Sequence, residues 1–374
     1  MLKPLRWLVL TVVLIAGCGT MPTTSPPTQA ANPTAGSAAA NPTANTPASP
    51  SALPPSPLPS PSPSPSPSPV PRTTVRIGMS ASLGGWIIDV AEKQGMMSAQ
   101  NIVLDRKEVD PGSTAAAEAV ESRERDIGVV TTDRLVQVGR NGQGLVMVAG
   151  LVNKGTHTLI AARDVDGFAG LKGKPVGHLD AKSASAAIIK RILKARNISE
   201  NDSPLLTFAD PGVVGAAVAN GSVGASLVDP VRAGRLRNSG FKVLAEANDV
   251  AKDFQAEGLA VRPEWARQNE DALVRLLRAT VMAERWIMTP TNKPAAVEQL
   301  ARSLGIEPPE AAIVYEQYVE KLGAIPREGD IDQAGVRGVV ELLTEINAAG
   351  SPTPDPTRLT DTTYLQRAKA TLPR

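Results

Sequence analysis

Residues 73–130 read TTVRIGMSASLGGWIIDVAEKQGMMSAQNIVLDRKEVDPGSTAAAEAVESRERDIGVV. Thr73–Met79 is a short β-rich run ending in a loop of Ser and Gly, which reads as a strand. Trp86–Gln94 follows with apolar residues at helical spacing and closes at Gly95. Ile102–Val109 is a second strand, Ser113–Arg123 an alanine-rich helix and Ile127–Val130 a third strand. Asp133–Arg140 adds a short helix and Leu145–Val152 an apolar strand. This βαβαβ alternation predicts an α/β lobe built on a largely parallel sheet.

Outward from this stretch, a second series begins near His157. Thr158–Ala162, Pro175–His178, Leu205–Phe208, Gly224–Val228 and Phe241–Ala245 read as strands. Between them, Ser183–Arg196, Val213–Asn220 and Pro230–Arg237 read as helices; Ile188, Ile189, Ile192 and Leu193 share one face of the first. Leu259–Val261 is a last strand. Only helices follow: Pro263–Gln268, Asp271–Met288, Lys293–Leu304, Pro308–Leu322, Gln333–Ala348 and Asp361–Ala370. A helical run without strands is expected on the outside of an existing lobe. The economical path leaves the first lobe near residue 155, builds a second and returns near residue 255. Two crossings then frame a hinged cleft.

The other end of the chain reads as an address. Lys3 and Arg6 precede the apolar run Trp7–Gly17. A helix needs about 20 apolar residues to span a bilayer, so this shorter run reads as a cleaved signal. Residues 19–71 carry no Asp, Glu, Lys or Arg, and hold 17 of the 33 prolines. Such a segment has too few apolar side chains to offset the entropy of ordering and reads as an extended tether. Roughly 300 residues remain to fold, enough for two lobes of about 150 each.

Composition excludes several classes. Lys plus Arg number 39 against 37 Asp plus Glu, a net charge of +2, which argues against nucleic acid as a partner. Cys18 is the one cysteine, so neither an intrachain disulfide nor a Cys-based zinc site is available. The two histidines, His157 and His178, exclude a His-rich metal cluster. With 3% aromatic residues, neither a ring-paved carbohydrate cleft nor a base-stacking platform is expected. No G-x-S-x-G, P-loop, H-E-x-x-H or G-x-G-x-x-G run occurs, and no catalytic residues are assigned.

In open α/β sheets ligands sit beyond the carboxyl ends of strands. Those positions hold Ser80, Ser82 and Trp86 after the first strand, Ser113 and Thr114 after the second, and Thr132 after the third. In the second series they hold Asp180, Ser183 and Asp229, with His157 where the crossing strand starts. Hydroxyls and free N–H groups at helix starts are donors, and the helix dipole favours negative charge there. Together these loops predict a binding cleft for a small anionic or zwitterionic solute. Taken singly, each Ser, Thr or Asp also reads as a helix cap, Trp86 as a core anchor and His157 or His178 as a packed histidine.

Val75-Arg76-Ile77-Gly78, the helix bearing Val90-Ala91-Glu92-Lys93-Gln94-Gly95, and Ile102–Leu104 resemble the opening of type II periplasmic binding proteins. The nearest group is the nitrate/sulfonate/taurine and thiamine-pyrimidine-precursor binding family. Phe168-Ala169-Gly170-Leu171-Lys172-Gly173-Lys174-Pro175-Val176-Gly177 is similar to that family's entry to its second lobe. Where the family has Gly-Ser before the next helix, this chain has Asp180-Ala181-Lys182-Ser183. Ala216–Gly221, Ala225–Pro230 and Asp361–Arg367 resemble later stretches of the family, and Ile15-Ala16-Gly17-Cys18 resembles a bacterial lipobox.

The resemblance implies a two-lobed type II periplasmic-binding-protein-like α/β fold with a hinged cleft and a helical C-terminal extension on lobe 1. Residues 1–17 would be the lipoprotein signal peptide, 18–72 the tether, 73–155 the first part of lobe 1, 156–255 lobe 2 and 256–374 the completion of lobe 1. It further implies lipidation at Cys18, an extracytoplasmic monomer anchored to the bacterial cell membrane, and delivery of a solute to an ABC permease and ATPase. No cofactor is implied. A receptor subunit for a membrane sensor, or an enzyme on the same scaffold, is the alternative.

Overall fold

The computed structural model describes residues 71–109, 114–138, 144–208 and 211–373. The signal, Cys18 and nearly all of the tether lie outside the described residues. The first sheet holds β1 (Thr73–Met79), β2 (Ile102–Glu108), β3 (Ile127–Thr131) and β4 (Val146–Val152). The second holds β5 (Thr158–Ala161), β6 (Val176–His178), β7 (Leu205–Thr207), β8 (Ala225–Val228) and β9 (Val243–Glu246). The chain then returns to the first sheet as β10 (Glu257–Val261). Strand orders are β2-β1-β3-β10-β4 and β7-β6-β8-β5-β9.

The sheets are less parallel than the alternation suggests. β1 pairs parallel with β2 and β3, but β10 is antiparallel to both β3 and β4. Likewise β6 is parallel to β7 and β8, while β5 is antiparallel to β8 and β9. The cause is the direction of the crossings. The carboxyl ends of β1, β3 and β8 point toward the gap between the sheets, so a strand entering from that gap runs the other way. β5 and β10 are the two entering strands.

The crossings lie side by side. Ala247 N donates to His157 O at 2.9 Å and Ala256 N to Val152 O at 2.8 Å. Gln255, fully buried, donates through Nε2 to Val152 O (3.1 Å) and Glu257 O (2.8 Å) and accepts from Asp332 N (2.8 Å). One amide thus ties together backbone groups of three segments.

Apolar packing follows the sequence periodicity. Val75, Ile77 and Met79 alternate inward along β1, and the helix Leu83–Lys93 covers them with Trp86, Ile87, Ile88, Val90 and Ala91. The helix Glu270–Ile287 joins the same core through Leu273, Leu276, Leu277 and Val281. The C-terminal helices do not stay on one lobe. The helix Gln333–Glu345 inserts Leu342 into the core of the second sheet and pairs Glu345 with Arg191 at 2.7 Å. Gly335 and Gly338 allow this helix to lie against the backbone of residues 253–255, because a Cβ at either would collide with it. The helix expected over Pro308–Leu322 is α-helical to Val314 and π-helical over Tyr315–Lys321.

Glu284 is fully buried on the helix Glu270–Ile287. Its Oε2 accepts from Gly329 N at 2.5 Å, and Oε1 has no hydrogen-bond partner. Burial pushes its carboxyl well above the ordinary range, against the Gly329 bond, and Asp330 and Glu328 add to the rise. A carboxyl raised in the folded state supports folding below its unfolded value and opposes it as pH rises through the folded value. Glu284→Gln is therefore expected to raise the thermal unfolding midpoint at about pH 8, with the gain shrinking toward about pH 4. Calorimetry across that range reads the difference, and a lowered midpoint at the alkaline end would refute it.

Candidate functional site

A cavity of about 320 Å³ opens between the two sheets. That is near the lower end of the roughly 300–1,000 Å³ of small-molecule sites. From the first lobe it is lined by Ser80, Ser82, Thr131, Arg134 and Glu257, and from the second by Thr156, His157, Asp229 and Arg232. Leu83, Val129, Leu179, Val214, Leu227 and Ile306 supply apolar wall. The polar lining residues and Leu179 lie at or just after the ends of β1, β3, β6 and β8, precede β5 or start β10, so the strand directions described above build the site.

Three helix starts face this region, and each already holds a carboxylate. Glu257 Oε2 accepts from Gly84 N (2.9 Å) and Ser82 Oγ (2.9 Å) at the start of the helix Leu83–Lys93. A Cβ at Gly84 would push Glu257 Oε2 out of this position. Asp133 Oδ2 accepts from Ala184 N at 3.1 Å, reaching across the lobes to the start of the helix Ala184–Lys194. Asp229 Oδ1 accepts from Val231 N (3.0 Å) and Arg232 N (3.1 Å) at the start of the helix Pro230–Asn238. Its Oδ2 pairs with Arg232. Each arrangement places negative charge on free N–H groups at the positive end of a helix.

Burial raises the Glu257 carboxyl, and its bonds with Ser82 and Gly84 oppose the rise. Burial likewise lowers His157, against the pull of Asp229 and Asp133, which keeps the imidazole neutral near pH 7. Arg134 bridges the lobes to Asp180 at 2.8 Å, and Gln137 Nε2 donates to Lys182 O at 2.7 Å beside it. At the other side Arg235 pairs with Glu310 at 3.1 Å. The three lining arginines therefore each face a carboxylate of the chain.

Of the residues singled out from the sequence, Ser80, Ser82, His157 and Asp229 line the cavity. Trp86 does not: it is fully buried in the first core, edge-on to Tyr315 with ring centroids 6.1 Å apart. One turn into its helix, its side chain has rotated from the cleft toward the sheet. Thr132 is buried and does not line the cavity, whereas its neighbours Thr131 and Arg134 do. Ser183 is a buried cap, accepting from Ala186 N at 3.3 Å and donating to Asp180 O at 2.7 Å; the neighbouring Ser185 lines the cavity instead. Thr114 bonds Glu118 on its own helix. Asp180 faces Arg134 rather than the cavity, and Ser113 lies outside the described residues. Thr131, beside Thr132 at the end of the third strand, also lines the cavity, and so do Glu257 and Arg232, which the strand-end reading does not reach. Glu257 stands 175 residues from Ser82 and 173 from Gly84 in the chain.

Asp180 is the cross-lobe acid. Burial raises its carboxyl, but the Lys182 N–H and Arg134 outweigh that and hold it below the ordinary aspartate value. A depressed carboxyl contributes stability above its unfolded value and loses it as pH falls through the folded one. Arg134→Ala is expected to cost about 1–3 kcal/mol near pH 7, between the values for exposed and buried pairs. The loss should fade in acid, and small-angle scattering at pH 7 should show an increased radius of gyration. An unchanged radius would mean that the pair does not hold the lobes together.

The family described as NMT1/THI5 like matches residues 87–293. No curated protein sequence matches the chain. Among solved structures, the alkanesulfonate-binding protein SsuA from Xanthomonas axonopodis pv. citri, bound to MOPS, superposes with a TM-score of 0.62. It is 16% identical, over 78% of this chain and 99% of that one. The aliphatic sulphonate binding protein SsuA from Escherichia coli gives 0.60 at 17% identity, over 80% and 92%. The nitrate-binding protein NrtA from Synechocystis PCC 6803 gives 0.63 at 16% identity, over 80% and 89%. The family match spans more than half the chain. The chain belongs to the NMT1/THI5-like family and has the two-lobed fold of the periplasmic binding proteins.

Proposed function

We propose that this protein is a lipid-anchored, extracytoplasmic solute-binding component that delivers a small organic solute to the permease and ATPase of an ABC importer. The observation that carries the reading is the cavity at the strand ends, with walls from both lobes and ion pairs across its two sides. A solute between such walls contacts both lobes at once. It therefore favours the arrangement in which they meet over one in which they are apart. The loaded, closed form is the signal a permease would recognise. The sulfonate- and nitrate-binding proteins of similar fold support a binding role. Among the described residues no helix is long and apolar enough to cross a membrane, and no cluster of His, Cys, Asp and Glu is placed to hold a metal ion. The lipobox-like Ile15–Cys18 is the attachment point in this reading.

The cleft is tested by a thermal-shift screen of the full chain against sulfonates, nitrate, carboxylates, amino acids, amines and pyrimidines. A ligand at 100 times its dissociation constant adds about 2.7 kcal/mol. One class should raise the unfolding midpoint without being consumed. Turnover of a hit would move the reading to an enzyme on the same scaffold.

The anchor has its own check. Two acyl chains hold a protein durably, at about 0.8 kcal/mol per buried methylene. Cys18→Ala should shift the protein from the membrane to the soluble fraction in a bacterial host, and equal membrane retention would exclude lipidation there.

A further inference from the structure

The structure assigns Glu257 as the residue that sets ligand class: the cleft takes a solute with an apolar body and a protonated amine or other N–H donor group, and rejects sulfonates, nitrate and carboxylates. This rests on the reading of the cavity as a solute site and goes beyond it.

Three observations carry the assignment. First, the donors that would greet an anion are in use. The helix start at Ser82–Gly85 is filled by Glu257, that at Ala184 by Asp133 and that at Val231 by Asp229. A second anion there would have to displace a covalently attached one. Second, the lining cations are neutralised. Arg134 faces Asp180, Arg232 faces Asp229 and Arg235 faces Glu310. Third, the acid in the wall is not matched. Among the described residues Glu257 forms no ion pair. Both hydrogen bonds of its carboxylate among the described residues fall on Oε2, and Oε1 is not sealed off from the cavity. Oε1 is therefore an acceptor open to the cavity, beside the apolar Leu83, Val129 and Ile306. A charge-assisted bond to a ligand N–H is the contact that such an oxygen offers. The cavity of about 320 Å³ suits a compact molecule.

The test uses matched probes on the full chain: benzylamine, benzyl alcohol and phenylmethanesulfonate, with nitrate as the small anion, followed by calorimetry or thermal shift. Benzylamine should bind best and the two anions should not bind. Glu257→Gln should weaken benzylamine about ten- to hundredfold, the loss expected for one charge-assisted hydrogen bond. It should leave benzyl alcohol within about threefold, since that probe needs only an acceptor. An unchanged circular dichroism spectrum shows that the variant is folded. Glu257→Asp, which keeps the charge, should retain the order of amine over sulfonate. Binding of phenylmethanesulfonate or nitrate as tight as that of benzylamine, or an amine preference that survives Glu257→Gln, overturns this inference and leaves the solute cleft standing. Silence of every probe overturns this inference, while the solute cleft itself stands or falls with the broader screen.

Discussion

A chain that passes from one sheet to another and back through the same gap must send a strand of each sheet against its neighbours. That constraint organises the molecule. β5 and β10 are the entering strands, and each sits between strands that leave toward the gap or, for β9, return to it. Because β10 starts at the gap, its first residue, Glu257, stands beside the loop that follows β1. Because the two crossings are adjacent, one amide, Gln255, ties Val152, Glu257 and Asp332 together. The cleft, its acid and its hinge thus share a topological cause.

The electrostatic character of the site follows from what occupies the helix starts. An open N-terminus with three or four free N–H groups is a ready anion site. The same N-terminus seated on a carboxylate of its own chain is neutral toward anions and is stabilised in the free protein. The fold shared with sulfonate- and nitrate-binding proteins therefore does not determine what this cleft accepts. In the proposed reading, side chains on β10 and in the loops set that choice.

Much of the fold is legible in the sequence because strands and helices alternate with different hydrophobic periods, and nearly every element begins or ends within a few residues of its expected bounds. Strand direction is less legible, since a five-residue strand such as β10 reads the same whichever way it runs. The site divides along the same line. Ser80, Ser82, His157 and Asp229 are directly attached to strand ends, so local reading finds them. Trp86 and Ser183 lie near strand ends too, but a turn of helix in one case and a cap in the other takes the side chain elsewhere. Glu257 carries no local signal: an acidic residue ahead of a short strand is unremarkable until a partner far away in the chain approaches it. The C-terminal helices were expected on one lobe, and contacts such as Leu342 with the second core depend on how the lobes meet, which no single segment encodes.

Apart from Arg134–Asp180, two ion pairs that join the lobes are only partly shielded. Arg235 is 53% exposed in its pair with Glu310, and Glu345 is 50% exposed in its pair with Arg191. Pairs of that kind contribute about 0–1 kcal/mol each, and mobile ions screen them over about 8 Å at physiological salt. Ionic strength is thus a variable of the cleft itself. In the proposed solute-binding role, dilute surroundings would hold the lobes together longer and slow the release of a captured molecule. Brine would weaken the same pairs and raise the apparent dissociation constant although no atom that touches the ligand had changed.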